Sequence, residues 1–276
     1  MQTQEVLRLY EEGYRDFCGL SLRGADFSGR ILLEANFEYS DLTGAYFSRA
    51  FLTNADFTNA TLNRANFRFS KMSNASFVSA GANKADFQGA FGIRSSFFQA
   101  NVSGTNLAHV NLRSAQLTGA NFSGSNLNGA NLRNADLASA NFSWANLSGV
   151  RLIGSTISKA HFNGAKFDQA LLNGLDFSGM MLSGVSFGEA RLKGTSFRRA
   201  DLTAANFTDA SLQNCDFRWA QFAGATLANA NLHRAKFAQA DFRRLDPTDV
   251  DWEGAELSEA YVEELGLVKM NRMATA

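Results

Sequence analysis

One large apolar residue recurs at every fifth position through almost the whole of this sequence. Phe17, Leu22, Phe27 and Leu32 begin the series, which continues without a change of phase to Val262. Of these residues, called centres below, 21 are Phe and 21 are Leu; the exceptions are Met72, Ala82, Gly92, Val102, Ile157, Pro247, Trp252 and Val262. A short fixed period of this kind indicates a repeat architecture, in which one small unit is copied along the chain.

The residues around each centre predict a short strand followed by a turn. The residue two before the centre is usually Ala, as at Ala25 and Ala120, and the residue between them is commonly Asp or Asn. This inward, outward, inward order has the period of a strand, and the two following positions are rich in turn-forming residues. An α-helix is excluded because five residues rotate by about 500°, so successive centres would drift by about 140° and form no apolar stripe.

The unit A(D/N)(L/F)xx, which is plain in GANFSGSNLNGANLRNADL, resembles the repeat of the pentapeptide-repeat family. The opening VLRLYEEGYRDF is similar to the start of cyanobacterial members. The resemblance implies an all-β fold, a right-handed quadrilateral β-helix with 20 residues in each coil. It also implies about 12 coils and a rod roughly 60 Å long, at about 4.8 Å per stacked strand.

The ends of a solenoid expose its core and its open edges, so they need covering. We expect a capping helix over residues 1–14, the β-helix over 15–257, and a second capping helix with a tail over 258–276, helical over 258–265. Apolar residues of the tail then dock on the rod or, less favoured, on a second chain to form a dimer: Leu267, Val268, Met270 and Met273. Pro247 breaks the repeat, and we expect the last coils to be distorted there.

The composition and the dispersed polar residues predict a cytoplasmic protein that is not an enzyme. The chain has 26 basic and 26 acidic residues, no apolar run long enough to span a bilayer, and a charged N-terminus, so we expect a cytoplasmic protein. His109, His161 and His233 fall on different sides of the coil and predict neither a metal site nor a catalytic triad. We expect no catalytic residue and no cofactor, and the Asp and Asn side chains are expected to hydrogen-bond corners and neighbouring coils. Cys18 and Cys215 lie about ten coils apart and are not expected to pair.

One of the four sides, named the Leu32 side after its first centre, differs from the others. It carries only basic charges between Glu34 and Asp251, and we name these residues the basic strip: Lys71, Arg94, Arg113, Arg133, Arg151, Arg191, Lys193 and Arg234. Outward apolar residues lie on the same side, among them Phe51, Phe91, Ile153 and Leu171. Exposed apolar area beside charge of one sign is typical of a contact surface.

These observations favour a non-enzymatic protein-interaction scaffold or regulatory adaptor whose partner is a protein. The resemblance also raises a DNA-mimicking protein that binds and protects DNA gyrase, since some members of the family do so. A mimic requires a strongly negative rod, whereas this chain is neutral and its most biased side is basic. Direct binding of nucleic acid through the basic strip is the third hypothesis, which the neutral total charge disfavours.

Two small residues, Ala82 and Gly92, stand where Leu is expected. Missing side chains in a tight core leave a cavity or let the structure collapse inward. We expect a collapse in which Phe91 shifts towards the core, and a small ligand pocket is the alternative.

Overall fold

The structure, a computed structural model, describes residues 2–245 and 249–261. One helix, α1 (Thr3–Glu11), precedes the repeats. The described repeats pair through isolated parallel bridges without continuous strands, and each bridge joins residues twenty positions apart, from Asp16 with Asn36 to Asp241 with Tyr261. Four bridge positions occur in every twenty residues, so the chain is a β-helix whose coil has four sides. We name them after their first centres the Phe17, Leu22, Phe27 and Leu32 sides.

Each side ends in a tight turn that requires a left-handed residue. The N–H two residues before a centre donates to the carbonyl of the preceding centre, as in Ala25 N–H to Leu22 O at 3.1 Å. Every fifth residue from Gly19 to Glu259 has a φ between 54° and 77°. These residues are the third of the four residues of each turn, as Gly24 is in the turn from Leu22 to Ala25. A positive φ at the third residue alone is the signature of a type II turn, which explains why Gly and Asn are frequent at this position.

The core is a stack of side chains with almost no solvent exposure. Phe77 and Phe97, one coil apart, stack with ring centroids 4.6 Å apart, while Phe77 and Phe87 meet edge to face across the coil at 5.7 Å. In the middle of the rod the rings move to the Leu22 side, where Phe122 and Phe142 stack at 4.9 Å. Such offset-stacked and edge-to-face pairs add to the free energy gained by burying the rings.

The polar side chains immediately before the centres hydrogen-bond to backbone groups of the corners and to side chains of neighbouring coils. Ser28 N–H donates to Asp26 Oδ1 at 2.9 Å, and this hydrogen bond recurs along the rod. Asn141 donates to Asn121 and Asn121 to Asn101 in a side-chain ladder, each at 3.3 Å. The Asp and Asn side chains therefore have the structural role that the sequence predicted.

Helix α1 covers the first coil. Val6 is fully buried, and the Tyr10 hydroxyl donates to the Leu33 carbonyl at 3.1 Å. The chain then turns at Gly13, whose φ is 97°.

At the other end, the helix predicted over 258–265 does not begin at Ser258. Ser258 and Glu259 form a corner, and Tyr261 bridges Asp241, because the five-residue register continues and keeps a backbone partner in the coil below. The remaining residues of that predicted helix, the tail with Leu267, Val268, Met270 and Met273, and the predicted distortion at Pro247 lie outside the described residues.

Candidate interaction surface

The structure brings the predicted residues of the Leu32 side into one continuous face. Ile31, Phe51, Lys71, Phe91 and Asn111 are joined in sequence by bridges, and the same series continues through Arg151, Leu171 and Arg191. Because adjacent coils lie about 4.8 Å apart, outward side chains in this series are close neighbours.

Most residues of this face are open to solvent. Of the basic strip only Arg133 is half-buried, and of the apolar residues predicted beside it only Leu171 is. Phe51, Phe91 and Ile153 are exposed, although they are large and apolar. The Lys71 ammonium lies 4.6 Å from the centre of the Phe51 ring, a distance at which a cation is attracted to the aromatic face.

This face differs from the other three in having no acidic residue between Glu34 and Asp251. On the other sides some arginines pair with aspartates of the neighbouring coil, as in Arg23 with Asp41 at 2.9 Å and Arg68 with Asp86 at 3.5 Å. Within the described residues, no member of the basic strip has an acidic group within 4.0 Å. Arg113 and Arg133 occupy the same position in adjacent coils, so two cations stand next to each other without a counter-charge.

The space at Gly92 is filled by neighbouring side chains, and the expected inward shift of Phe91 is wrong. A Cβ atom placed on Gly92 would lie 2.9 Å from Met72 Cε and 3.1 Å from Leu112 Cδ2. Phe91 remains 44% exposed. The long side chains above and below occupy the space of the missing Leu, which removes the reason for the backbone or Phe91 to move inward.

The groups capable of chemistry are dispersed in the structure. Among residues 2–245 and 249–261, no three His, Cys, Asp or Glu side chains lie close enough to hold a metal ion. Cys215 is buried in an inward position, and burial raises the pKa of its thiol to about 12, whereas Cys18 is exposed; both are free. No helix in the described part of the chain is long and apolar enough to cross a membrane.

One feature was not predicted from the sequence, an opening between two coils. Between Asp16 and Tyr261, bridges are missing among the described residues only at Thr156 with Asp176 and His161 with Met181. The available signal was the replacement of the usual Ala by Leu175 and Met180 at two consecutive corners of one coil.

Comparison with known families gives two matches that together extend over most of the chain. The family model described as pentapeptide repeats (8 copies) matches residues 21–59, 40–77, 115–154, 151–188 and 160–199. A model described as a pentapeptide repeat region matches residues 190–267. No curated protein sequence matches the chain.

Several solved structures are similar to this one. HetL, a pentapeptide repeat protein involved in heterocyst differentiation regulation from the cyanobacterium Nostoc sp. strain PCC 7120, is 28% identical over 87% of this chain and 96% of its own, with a TM-score of 0.44. A trypsin-treated form of QnrB1, a plasmid-mediated fluoroquinolone resistance protein, is 15% identical over 90% and 97%, with a TM-score of 0.44. Rfr23 from the cyanobacterium Cyanothece 51142 is 22% identical over 60% and 99%, with a TM-score of 0.28.

Proposed function

The chain belongs to the pentapeptide-repeat family, and on this premise we propose that it is a non-enzymatic scaffold or adaptor that binds an acidic surface of a partner protein through its basic strip. The rod in this proposal is a right-handed quadrilateral helix of about 12 coils. The strip extends from Lys71 to Arg234, which is about eight coils or roughly 40 Å at about 4.8 Å per coil.

The observation that carries the proposal is the absence of counter-charges along the strip in the described residues. Like charges placed opposite each other on adjacent strands destabilise a sheet. On the other sides acidic residues are present, and some of the cations form ion pairs with them, such as Arg198 with Asp216 at 3.8 Å. An unneutralised row of cations such as Arg113 and Arg133 is therefore suited to carboxylates supplied by another molecule.

The apolar residues favour a protein over nucleic acid as the partner. Phe51 lies next to Lys71 at one end of the strip, and Phe91 and Ile153 lie between its cations. All three are exposed and offer area that gains free energy when it is removed from water. Binding to phosphates needs only cations. On the Leu32 side, the segments that carry Arg113, Arg133 and Arg151 include no aromatic side chain on which bases could stack. A neutral chain with this face is also a poor substitute for DNA, so no observation favours the gyrase-binding hypothesis.

The test is a charge reversal with a matched control. In the test variant Arg113, Arg133 and Arg151 are each changed to Glu; in the control Arg49, Arg64 and Lys84, which are exposed on other sides, are changed to Glu. Each tagged protein is used to capture partners from cells of the native organism, and the bound proteins are identified by mass spectrometry.

We expect the test variant to lose a partner that the wild type and the control both retain, with the melting temperature of the test variant unchanged. Mobility shifts with a short DNA duplex and a gyrase supercoiling assay cover the other two hypotheses. The proposal is wrong if the test variant captures the same proteins as the wild type, or if DNA is bound with a steep salt dependence.

A further inference from the structure

Two neighbouring coils part on the Phe17 and Leu22 sides and leave their backbone edges unpaired. On the first edge, the N–H groups of Ile157, Lys159 and Phe162 have no acceptor within the described residues. On the facing edge, the same holds for the N–H groups of Asp176 and Met181. The missing bridges are those between Thr156 and Asp176 and between His161 and Met181.

The coils on both outer sides of this opening are regular. Leu137 N–H donates to Thr156 O at 2.8 Å below it, and Phe177 N–H donates to Ser196 O at 2.8 Å above it. The same positions are therefore capable of ladder pairing, and the opening is confined to one junction. It closes at Leu152, whose N–H donates to Leu171 O at 3.0 Å, and at Lys166, which bridges Ser186.

Oversized side chains at two corners explain why the coils part. In this inward position the coil below carries Ser155 and Ala160, whereas the opened coil carries Leu175 and Met180. Leu175 is buried and Met180 packs against the core, so both fill space that Ala leaves free elsewhere. Overfilling a close-packed interior is relieved by shifts of the backbone, here a separation from the coil below.

The resulting cleft is open to solvent and has a volume of about 830 Å³. Its floor remains closed, because the rings of Phe162 and Phe177 are in edge contact with centroids 5.9 Å apart. Apolar and hydroxyl side chains line it, together with the exposed residues Lys159, His161 and Asp176. Asn173, at the corner where the coils begin to part, has a buried Oδ1 without a hydrogen-bond partner in the described residues.

We propose that this cleft binds an extended peptide segment of a partner protein by main-chain pairing. Unpaired N–H groups cost free energy unless they find acceptors, and an extended strand presents N–H and C=O groups towards both edges at the spacing of the missing ladder. The closed floor limits the inward side chains of the peptide to small ones, such as Ala, Ser or Gly. This site lies apart from the basic strip and does not depend on the function proposed for it.

Amide hydrogen exchange tests whether the edges are unpaired. The N–H groups of Ile157, Lys159 and Phe162 are expected to exchange much faster than those of Leu137, Ser139 and Phe142 at the same positions one coil below. Equal protection in the two coils would mean that the junction is closed in solution, and the proposal would be overturned.

Peptide binding tests the occupant. The probe is a fluorescein-labelled hexapeptide of alternating alanine and threonine, blocked at both ends, and the control is the same peptide methylated on alternate amide nitrogens. Because pairing through the main chain tolerates many sequences, we expect saturable binding that slows exchange at Ile157, Lys159 and Met181. Absence of saturation up to about 1 mM, or equal binding of the methylated peptide, would refute main-chain pairing.

A variant that closes the cleft provides the second control. Leu175→Ala with Met180→Ala restores the small residue of the repeat, so we expect the ladder to form, exchange to slow and peptide affinity to fall at least about tenfold. Val150→Ala with Val185→Ala makes similar truncations at the same inward position where bridges are intact, and peptide affinity should not change. The charge reversal of Arg113, Arg133 and Arg151 should also leave peptide binding intact, so failure of one proposal is distinguishable from failure of the other.

Discussion

Replacement of Gly92 by Leu is expected to change the stability of the protein. The repeat alone predicts a stabilisation, and the packing around Gly92 predicts a destabilisation. In the repeat, Gly92 occupies a centre, and nine of the twelve centres of the Leu32 side are Leu. If the repeat were the only consideration, Gly92→Leu would fill a hole and stabilise the protein, as substitutions towards a consensus often do.

The structure predicts instead that Gly92→Leu destabilises the protein. A Cβ atom on Gly92 would lie 2.9 Å from Met72 Cε, 3.0 Å from Ser95 Oγ and 3.1 Å from Leu112 Cδ2, and a leucine adds three further carbons beyond it. Gly92 does not have a left-handed φ, so the cost arises from side-chain crowding and not from the backbone. Overpacking of this kind costs about 1–3 kcal/mol. At about 2–4 °C per kcal/mol for a protein of this size, the melting temperature should fall by roughly 2–12 °C.

Urea denaturation of four variants tests this reasoning. Met72→Ala alone is expected to cost about 2–5 kcal/mol. The double variant with Gly92→Leu should lose less than the sum of the two single variants, by about 0.5–3 kcal/mol, because the leucine enters the space vacated by Met72. Leu132→Met, a volume-conserving change at a regular centre, should cost less than about 1.5 kcal/mol. A higher urea midpoint for Gly92→Leu than for the wild type would refute the packing argument.

Two further predictions concern the thiols and the corners. In the native protein a thiol reagent at pH 8 should modify the exposed Cys18 rapidly and the buried Cys215 only after unfolding, since burial raises the pKa of the Cys215 thiol to about 12. Rapid modification of both thiols in the native protein would contradict this. Ala204 has a φ of 54°, and Gly174 has a φ of +72° with no atom within 4 Å of an added Cβ. A left-handed φ is unfavourable for a residue with a Cβ and not for Gly, so Ala204→Gly should stabilise the protein and Gly174→Ala should destabilise it. We expect each change to be up to about 1 kcal/mol in urea denaturation. Changes of the same sign in the two variants would show that φ does not control the stability of the corners.

Much of the fold and of the candidate face was accessible from the sequence because both follow from a strict period. A residue's position within the repeat determines whether it points inward or outward, and its position modulo 20 determines its side of the coil. The sequence therefore assigns Arg113, Arg133 and Arg151 to one face. The left-handed residue at every corner was not predicted, since residues as different as Trp144, Lys159 and Ala204 adopt it. Composition there gives only a weak signal, because the turn imposes the conformation on whichever residue occupies that position.

Periodicity was sufficient for the β-helix, the inward Phe and Leu series and the unbalanced charge of the Leu32 side, because these properties depend on where each residue falls in its own unit. What happens around residues that depart from the repeat depends on how neighbouring coils stack. The vacancy at Gly92 is filled by Met72 and Leu112 from the coils on either side. Leu175 and Met180 have no such accommodation, so their coil parts from the one below and leaves a cleft with unpaired edges. In a close-packed stack, the volume available to one side chain is determined by its neighbours twenty residues away in both directions, and the five-residue period does not encode that volume.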